Sequence, residues 1–148
     1  MSVPRLRHQA RLLVADGEKA LVLVNDGTPD NPKLRVSERF DNDNPMAREQ
    51  GEDRPGRLND SIGFHKSAVE ITDFHRLGKE RFAVELADRL GKLLDRDGFD
   101  QLFLVAPPLV LGELRKHLRK DVAGLVAHEI AKDLTKQPVD RITRLVTE

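Results

Sequence analysis

Cysteine, tryptophan and tyrosine are absent from these 148 residues. Without thiols the chain has no Cys nucleophile, no Cys-ligated zinc, no iron–sulfur cluster and no disulfide, a composition that a reducing compartment permits. The only aromatics are 6 Phe, a poor basis for a platform on which single-stranded bases stack. Net charge is missing as well: 25 Lys plus Arg stand against 25 Asp plus Glu. Proteins dedicated to DNA carry a basic excess, because neutralising phosphates drives their affinity. A nucleic-acid contact here has to come from a local patch. Long apolar runs are also lacking. The basic start, Met1 to His8, is followed by an apolar run of only Leu12 to Ala15. That is too short for a signal peptide and far short of the roughly 20 residues that span a bilayer. The expected location is the cytoplasm, with no membrane partner.

What is present reads as one domain over residues 1–148, long enough to bury a core without a metal or disulfide. Arg11 to Asp16 and Lys19 to Val24 are apolar runs separated by Asp16-Gly17. An Asp-Gly pair between two such runs predicts a hairpin, glycine tolerating the positive φ that many tight turns need. Asn25-Asp26-Gly27 closes the second strand. Lys33 to Phe40 alternates through Leu34 and Val36, the pattern of a half-exposed third strand.

From Asp41 to Thr72 the chain is rich in charge, Gly and Pro and poor in apolar residues. A loop of that length inside a compact domain is expected to be either functional or a surface insertion. A helix is predicted from about Asp73 to Asp95, with Phe82, Ala83, Leu86, Ala87, Leu90, Leu93 and Leu94 on one face at 3–4 spacing. Phe99 to Ala106 is a continuous apolar run, the pattern of a strand buried on both sides. Pro107-Pro108 stops it, and Pro108 suits the first turn of the next helix, which turns Leu111, Leu114 and Leu118 inward. Val122 to Leu134 fits both periods: Val126, His128, Ile130 and Leu134 at period two, or Val122, Leu125, Val126, Ile130 and Leu134 as a helix. Pro138 to Val146 reads as a terminal helix. The order β-β-β-α-β-α-(β)-α predicts an α/β fold with a ribonuclease H-like mixed sheet and helices packed on it.

That fold does not make a nuclease. Nucleases of this kind hold metal ions on carboxylates projecting from central strands, and Leu102 to Ala106 carries no acid. The turn explains Asp16 without chemistry. There is no GxxxxGKS/T phosphate loop, no GxGxxG and no GxSxG elbow. Asp41-Asn42-Asp43-Asn44-Pro45 begins like a calcium loop, but Pro45 falls on a ligand position and the sixth position lacks Gly. His8, His65, His75, His117 and His128 form neither HxxxH nor HExxH. No metal, cofactor or small-molecule substrate is expected. Arg115, Lys116, Arg119 and Lys120 make the densest basic cluster, in i,i+4 pairs. It reads as a solvated helix face rather than an RNA patch, since charge alone speaks for the patch.

Several segments jointly resemble the bacterial host-attachment protein family: Leu13-Val14-Ala15-Asp16-Gly17, Asp53-Arg54-Pro55-Gly56-Arg57, Lys79-Glu80-Arg81-Phe82-Ala83 into Leu86-Ala87, Val105-Ala106-Pro107-Pro108, Leu111 to Lys116, and Lys132-Asp133-Leu134-Thr135. That family is similar to the middle domain of archaeo-eukaryotic peptide-chain release factors. The resemblance implies the ribonuclease H-like fold and favours a strand within Val122 to Leu134. In release factors a Gly-Gly-Gln loop before the long helix triggers peptidyl-tRNA hydrolysis. The matching stretch here, Ser61 to Ser67, has one Gly and no Gln, so that chemistry is not carried over. Without an export signal, any role in attachment to host cells would be indirect.

Two function classes follow. The first is a non-catalytic, translation-factor-like module touching ribosomal RNA or tRNA through Arg54, Arg57, His65, Lys66, His75, Arg76 and Lys79, around the end of the loop and the start of the helix. The second is an intracellular module that docks a protein partner. A hydrolase or nuclease ranks below both, since no site is assembled.

Overall fold

The computed structural model describes residues 4–41 and 68–147, with backbone alone for 68–76. Three strands come first: β1 (Arg11–Ala15), β2 (Lys19–Asn25) and β3 (Leu34–Asp41). Helix α1 (Ala68–Asp97) leads to β4 (Leu102–Val105). Helix α2 (Pro108–His117) and the short α3 (Lys120–Ala123) precede β5 (Val126–Ile130), and α4 (Val139–Thr147) ends the fold. The sheet order is β3-β2-β1-β4-β5. The first three strands are antiparallel neighbours, while β4 runs parallel to β1 and β5 parallel to β4. This is the expected mixed α/β sheet, consistent with a ribonuclease H-like arrangement. Among the described residues no helix is long and apolar enough to cross a membrane.

The central strands are apolar throughout because both faces are covered. Leu13, Ala15, Leu102, Leu104 and Ala106 meet the apolar side of α1 and α2, including Phe82, Leu86, Leu90, Leu111 and Leu114. Leu12, Val14, Phe103 and Val105 point the other way, onto Leu6, Leu134, Ile142 and Val146. Period two along the strands thus meets helical periodicity on both sides.

The first hairpin forms where expected, for a different reason. Asp16 Oδ1 accepts the backbone N–H groups of Glu18 (2.6 Å) and Lys19 (2.8 Å), which caps the turn locally. Among the described glycines only Gly98 has a positive φ. Gly17 is there for a close approach: a Cβ on it would lie 2.6 Å from Cγ of Lys79. The buried Asn25 holds the second turn with all its groups satisfied. Its Nδ2 donates to the carbonyls of Leu6 and Arg7, and its Oδ1 accepts from Gly27 N and Lys33 N.

Two expectations are corrected and an open one is resolved. Helix α1 begins at Ala68 rather than about Asp73, and Asp41 closes β3, so the expected loop 41–72 is shorter at both ends. No Gly or Pro interrupts the sequence from Phe64 to Leu77, and Ser67-Ala68-Val69-Glu70 has the spacing of an N-terminal capping box. The remainder of that loop, residues 42–67, lies outside the described residues. The ambiguous stretch holds both answers in turn, helix α3 and then strand β5. Its period-two reading fails at one point. The pairing jumps from Leu102↔Val126 to Phe103↔His128, leaving Ala127 as an extra residue on β5. Such a bulge reverses the faces: Val126 joins the α1–α2 core, whereas Ile130 joins the α4 side and His128 sits edge-on to Phe103 at 5.8 Å. Edge strand β3 carries a matching bulge at Ser37, between Val36↔Leu23 and Glu38↔Val22. Bulges at both edges discourage sheet-to-sheet pairing.

Candidate nucleic-acid interface at the carboxyl edge of the sheet

Parallel strands with helical crossovers leave their carboxyl ends open, and ligands of α/β sheets gather there. In this chain β1, β4 and β5 end on one edge, at Ala15, Val105 and Ile130. The antiparallel register sets Lys19 of β2 opposite Asp41, so β3 also ends there. Helix α1 runs back along the sheet. Its last residue, Asp97, faces Arg11 at the start of β1, whereas Lys79 lies over Gly17, just past the end of β1. Residues 68–78 therefore project beyond the edge by about 16 Å at the helical rise per residue. Residues 42–67 leave from this edge at Asp41 and rejoin the described chain at Ala68.

The edge is tied together by side chains distant in sequence. Thr135 Oγ1 donates to Asp133 Oδ1 (2.6 Å), which also accepts the Thr135 N–H (3.0 Å), and the same hydroxyl lies 3.2 Å from Asp16 Oδ2. The hydroxyl thereby links the β1–β2 turn to the segment after β5. Burial alone would push the Asp133 carboxyl up. The Thr135 hydroxyl and amide, with Lys136 and Lys19 nearby, outweigh it and hold the group below its ordinary 3.8. Lys19, Lys79, Lys132 and Lys136 are all exposed.

Of the seven residues expected at the interface, Arg54, Arg57, His65 and Lys66 lie outside the described residues. His75 and Arg76 fall on α1 in its projecting part, and Lys79 sits at the edge itself. Lys19, Lys132, Lys136 and the Asp16–Thr135–Asp133 link were not singled out from sequence. The only signal for the last group was the Lys132-Asp133-Leu134-Thr135 segment, noted for its resemblance and not for chemistry.

The basic cluster on α2 and α3 is largely matched with acids. Arg115 grips Glu129 of β5, with Nε to Oε1 at 2.9 Å, and Lys116 Nζ lies 2.9 Å from Glu113. Arg119 forms a fork on Asp95 (2.8 and 2.9 Å) and a second on Asp121 (2.6 and 3.0 Å). Its stem passes over Gly91, where a Cβ would come within 3.0 Å of Cδ. The Arg119 guanidinium pulls Asp95 and Asp121 below the ordinary carboxylate range. The cluster is a set of ties between α1, α3 and β5, which fits the solvated-face reading.

A groove of about 450 Å³ runs between β3 and α1. The Ser37 bulge turns Glu38 and Phe40 toward it. Arg89 covers the Phe40 ring at 4.7 Å, Arg96 pairs with Glu38 (2.9 Å) and Lys92 with Asp88 (3.1 Å). Its cations are thus occupied from within. Among the described residues no group of three or more His, Asp or Glu could hold a metal ion.

Compared with known proteins, the chain matches the model of bacterial archaeo-eukaryotic release factor family 12 over residues 9–146. No curated protein matches it.

Proposed function

Since the chain belongs to the bacterial archaeo-eukaryotic release factor family 12, we propose that it is a non-catalytic, cytoplasmic, translation-factor-like module that docks on ribosomal RNA or tRNA. The observation that supports this most is the convergence at one edge. The ends of β1 and β3 lie there, and α1 runs past that edge toward its start at Ala68. His75, Arg76 and Lys79 lie on this part of the helix, and Arg54, Arg57, His65 and Lys66 precede it in the sequence. Cations clustered at one place can neutralise phosphates even in a chain of zero net charge.

The reading is non-catalytic on chemical grounds. Ser61 to Ser67 lacks Gly-Gly-Gln, and Asp16 spends its carboxylate on two backbone amides and a hydroxyl. Attachment to host cells, implied by the likeness to host-attachment proteins, would be a downstream consequence of this role. Cosedimentation with ribosomes at low and high salt tests the proposal. Salt-sensitive pelleting is expected. A chain that stays in the supernatant at low salt, or that instead captures one defined non-ribosomal protein, would refute it.

A further inference from the structure

The exposed cations of this chain differ in whether a carboxylate meets them, and among the described residues Lys33, Arg39, Arg81, Lys120, Arg141 and Arg144 stand in no ion pair. On α2 and α3, Arg115, Lys116 and Arg119 are each matched to a carboxylate. At the carboxyl edge four unmatched lysines come together. Among the described residues, Lys19, Lys79, Lys132 and Lys136 stand in no ion pair. Of the acids nearby, Asp16 is bonded to the turn amides and Thr135, and Asp133 to the Thr135 amide and hydroxyl, while Asp41 stands opposite Lys19 in the β2–β3 register without a salt bridge to it. A carboxylate oriented onto backbone donors leaves neighbouring ammonium groups to find an anion from outside.

We propose that Lys19, Lys79 and Lys136 form a contact surface for the phosphate backbone of RNA, extending the interface from the start of α1 across the β1–β2 turn to the segment after β5. It rests on the reading above and adds to it two residues, from β2 and from the segment before α4, that lie on neither the 42–67 segment nor α1. Three observations support it. The Gly17 position lets the Lys79 stem lie flat on the turn, which places its amine on the same edge as Lys19. The 3.2 Å approach of Thr135 Oγ1 to Asp16 Oδ2 brings Lys136, next to Thr135, and Lys19, at the end of the same turn, to one edge although they are far apart in sequence. Finally, the described aromatics are held elsewhere: Phe82, Phe99 and Phe103 are buried, and Phe40 lies under Arg89. Among the described residues the surface therefore offers point charges without a stacking ring or a fixed guanidinium fork. Such a surface contacts backbone phosphates with little base preference.

The test is filter binding of a structured RNA, over salt steps, to wild type, K19A/K79A/K136A, K19R/K79R/K136R and R115A/K116A/R119A, with melting curves to verify folding. Each phosphate contact contributes roughly 0.7–0.9 to the slope of log affinity against log salt. The lysine-to-alanine variant should lose about 2–3 from that slope and bind at least about tenfold more weakly at low salt. The arginine replacements should retain binding, and the α2–α3 variant should match wild type. An unchanged slope in K19A/K79A/K136A overturns this surface while leaving the functional proposal standing. Wild type that pellets with ribosomes yet binds no RNA does the same. Wild type that neither pellets nor binds RNA overturns both. Competition by polyglutamate as effective as by RNA would make the partner an acidic protein and overturn the RNA assignment.

Discussion

Gly17 and Gly27 both sit in turns, and alanine at the two positions should have opposite consequences. At Gly27 a Cβ would lie 2.2 Å from the Asn31 carbonyl oxygen and 2.8 Å from Lys33 N. Both are backbone atoms, so the turn itself must open. Opening it also strains the bonds from Gly27 N and Lys33 N to the buried Asn25 Oδ1, each 2.9 Å long. Overpacking of this kind costs about 1–3 kcal/mol and a weakened buried hydrogen bond about 1 kcal/mol more, so G27A should lose about 2–4 kcal/mol. At Gly17 the obstacle is the stem of exposed Lys79, 2.6 to 3.0 Å away. A lysine stem can change rotamer, so G17A should lose under about 1 kcal/mol. Urea unfolding followed by circular dichroism measures both. For a chain of this size the melting temperature should fall by on the order of 10 °C in G27A and by a few degrees at most in G17A. G17A should nevertheless weaken RNA binding, because it displaces the Lys79 amine without removing it. Equal stability losses in the two variants, or a larger one in G17A, would refute the assignment of Gly17 to a side-chain approach.

Phe82→Ala, at the first described α1 residue buried in the core, should cost about 3–5 kcal/mol in the same assay; a loss below about 1 kcal/mol would mean that α1 is not anchored there. Thr135→Val removes the hydroxyl between Asp16 and Asp133, so the Asp133 carboxyl should titrate higher by NMR, and an unmoved titration would disprove the link. Asp26, Asp95, Asp97, Asp121 and Asp133 all titrate below the ordinary 3.8 in the folded chain. The unfolded chain therefore takes up protons first as pH falls: the stability these groups contribute is whole above about pH 5 and drains away below about pH 4. Melting scans from pH 7 to pH 3 should show a plateau and then a fall, whereas a steady decline from pH 7 would point to histidines instead.

Much of the fold was legible because its signals are local. The all-apolar runs of β1 and β4 need two covered faces, and the 3–4 spacing from Phe82 to Leu94 needs one. Pro108 opens α2 as its ring geometry dictates. The start of α1 was also written locally, in Ser67-Ala68-Val69-Glu70, but the glycines and charges upstream obscured it. The bulges at Ser37 and Ala127 were not legible: an extra residue is defined only against a partner strand, and it decided which way Phe40, His128 and Ile130 point. The candidate interface divides in the same way. Composition and spacing located cations, including Lys79 and the Arg115–Lys120 cluster, yet could not say which were already matched. Arg119 meets Asp95 across 24 positions and Thr135 meets Asp16 across 119. Pairing of charges depends on distances of a few ångströms, and only the folded sheet, by bringing the ends of its strands to one edge, sets distances between residues so far apart along the chain.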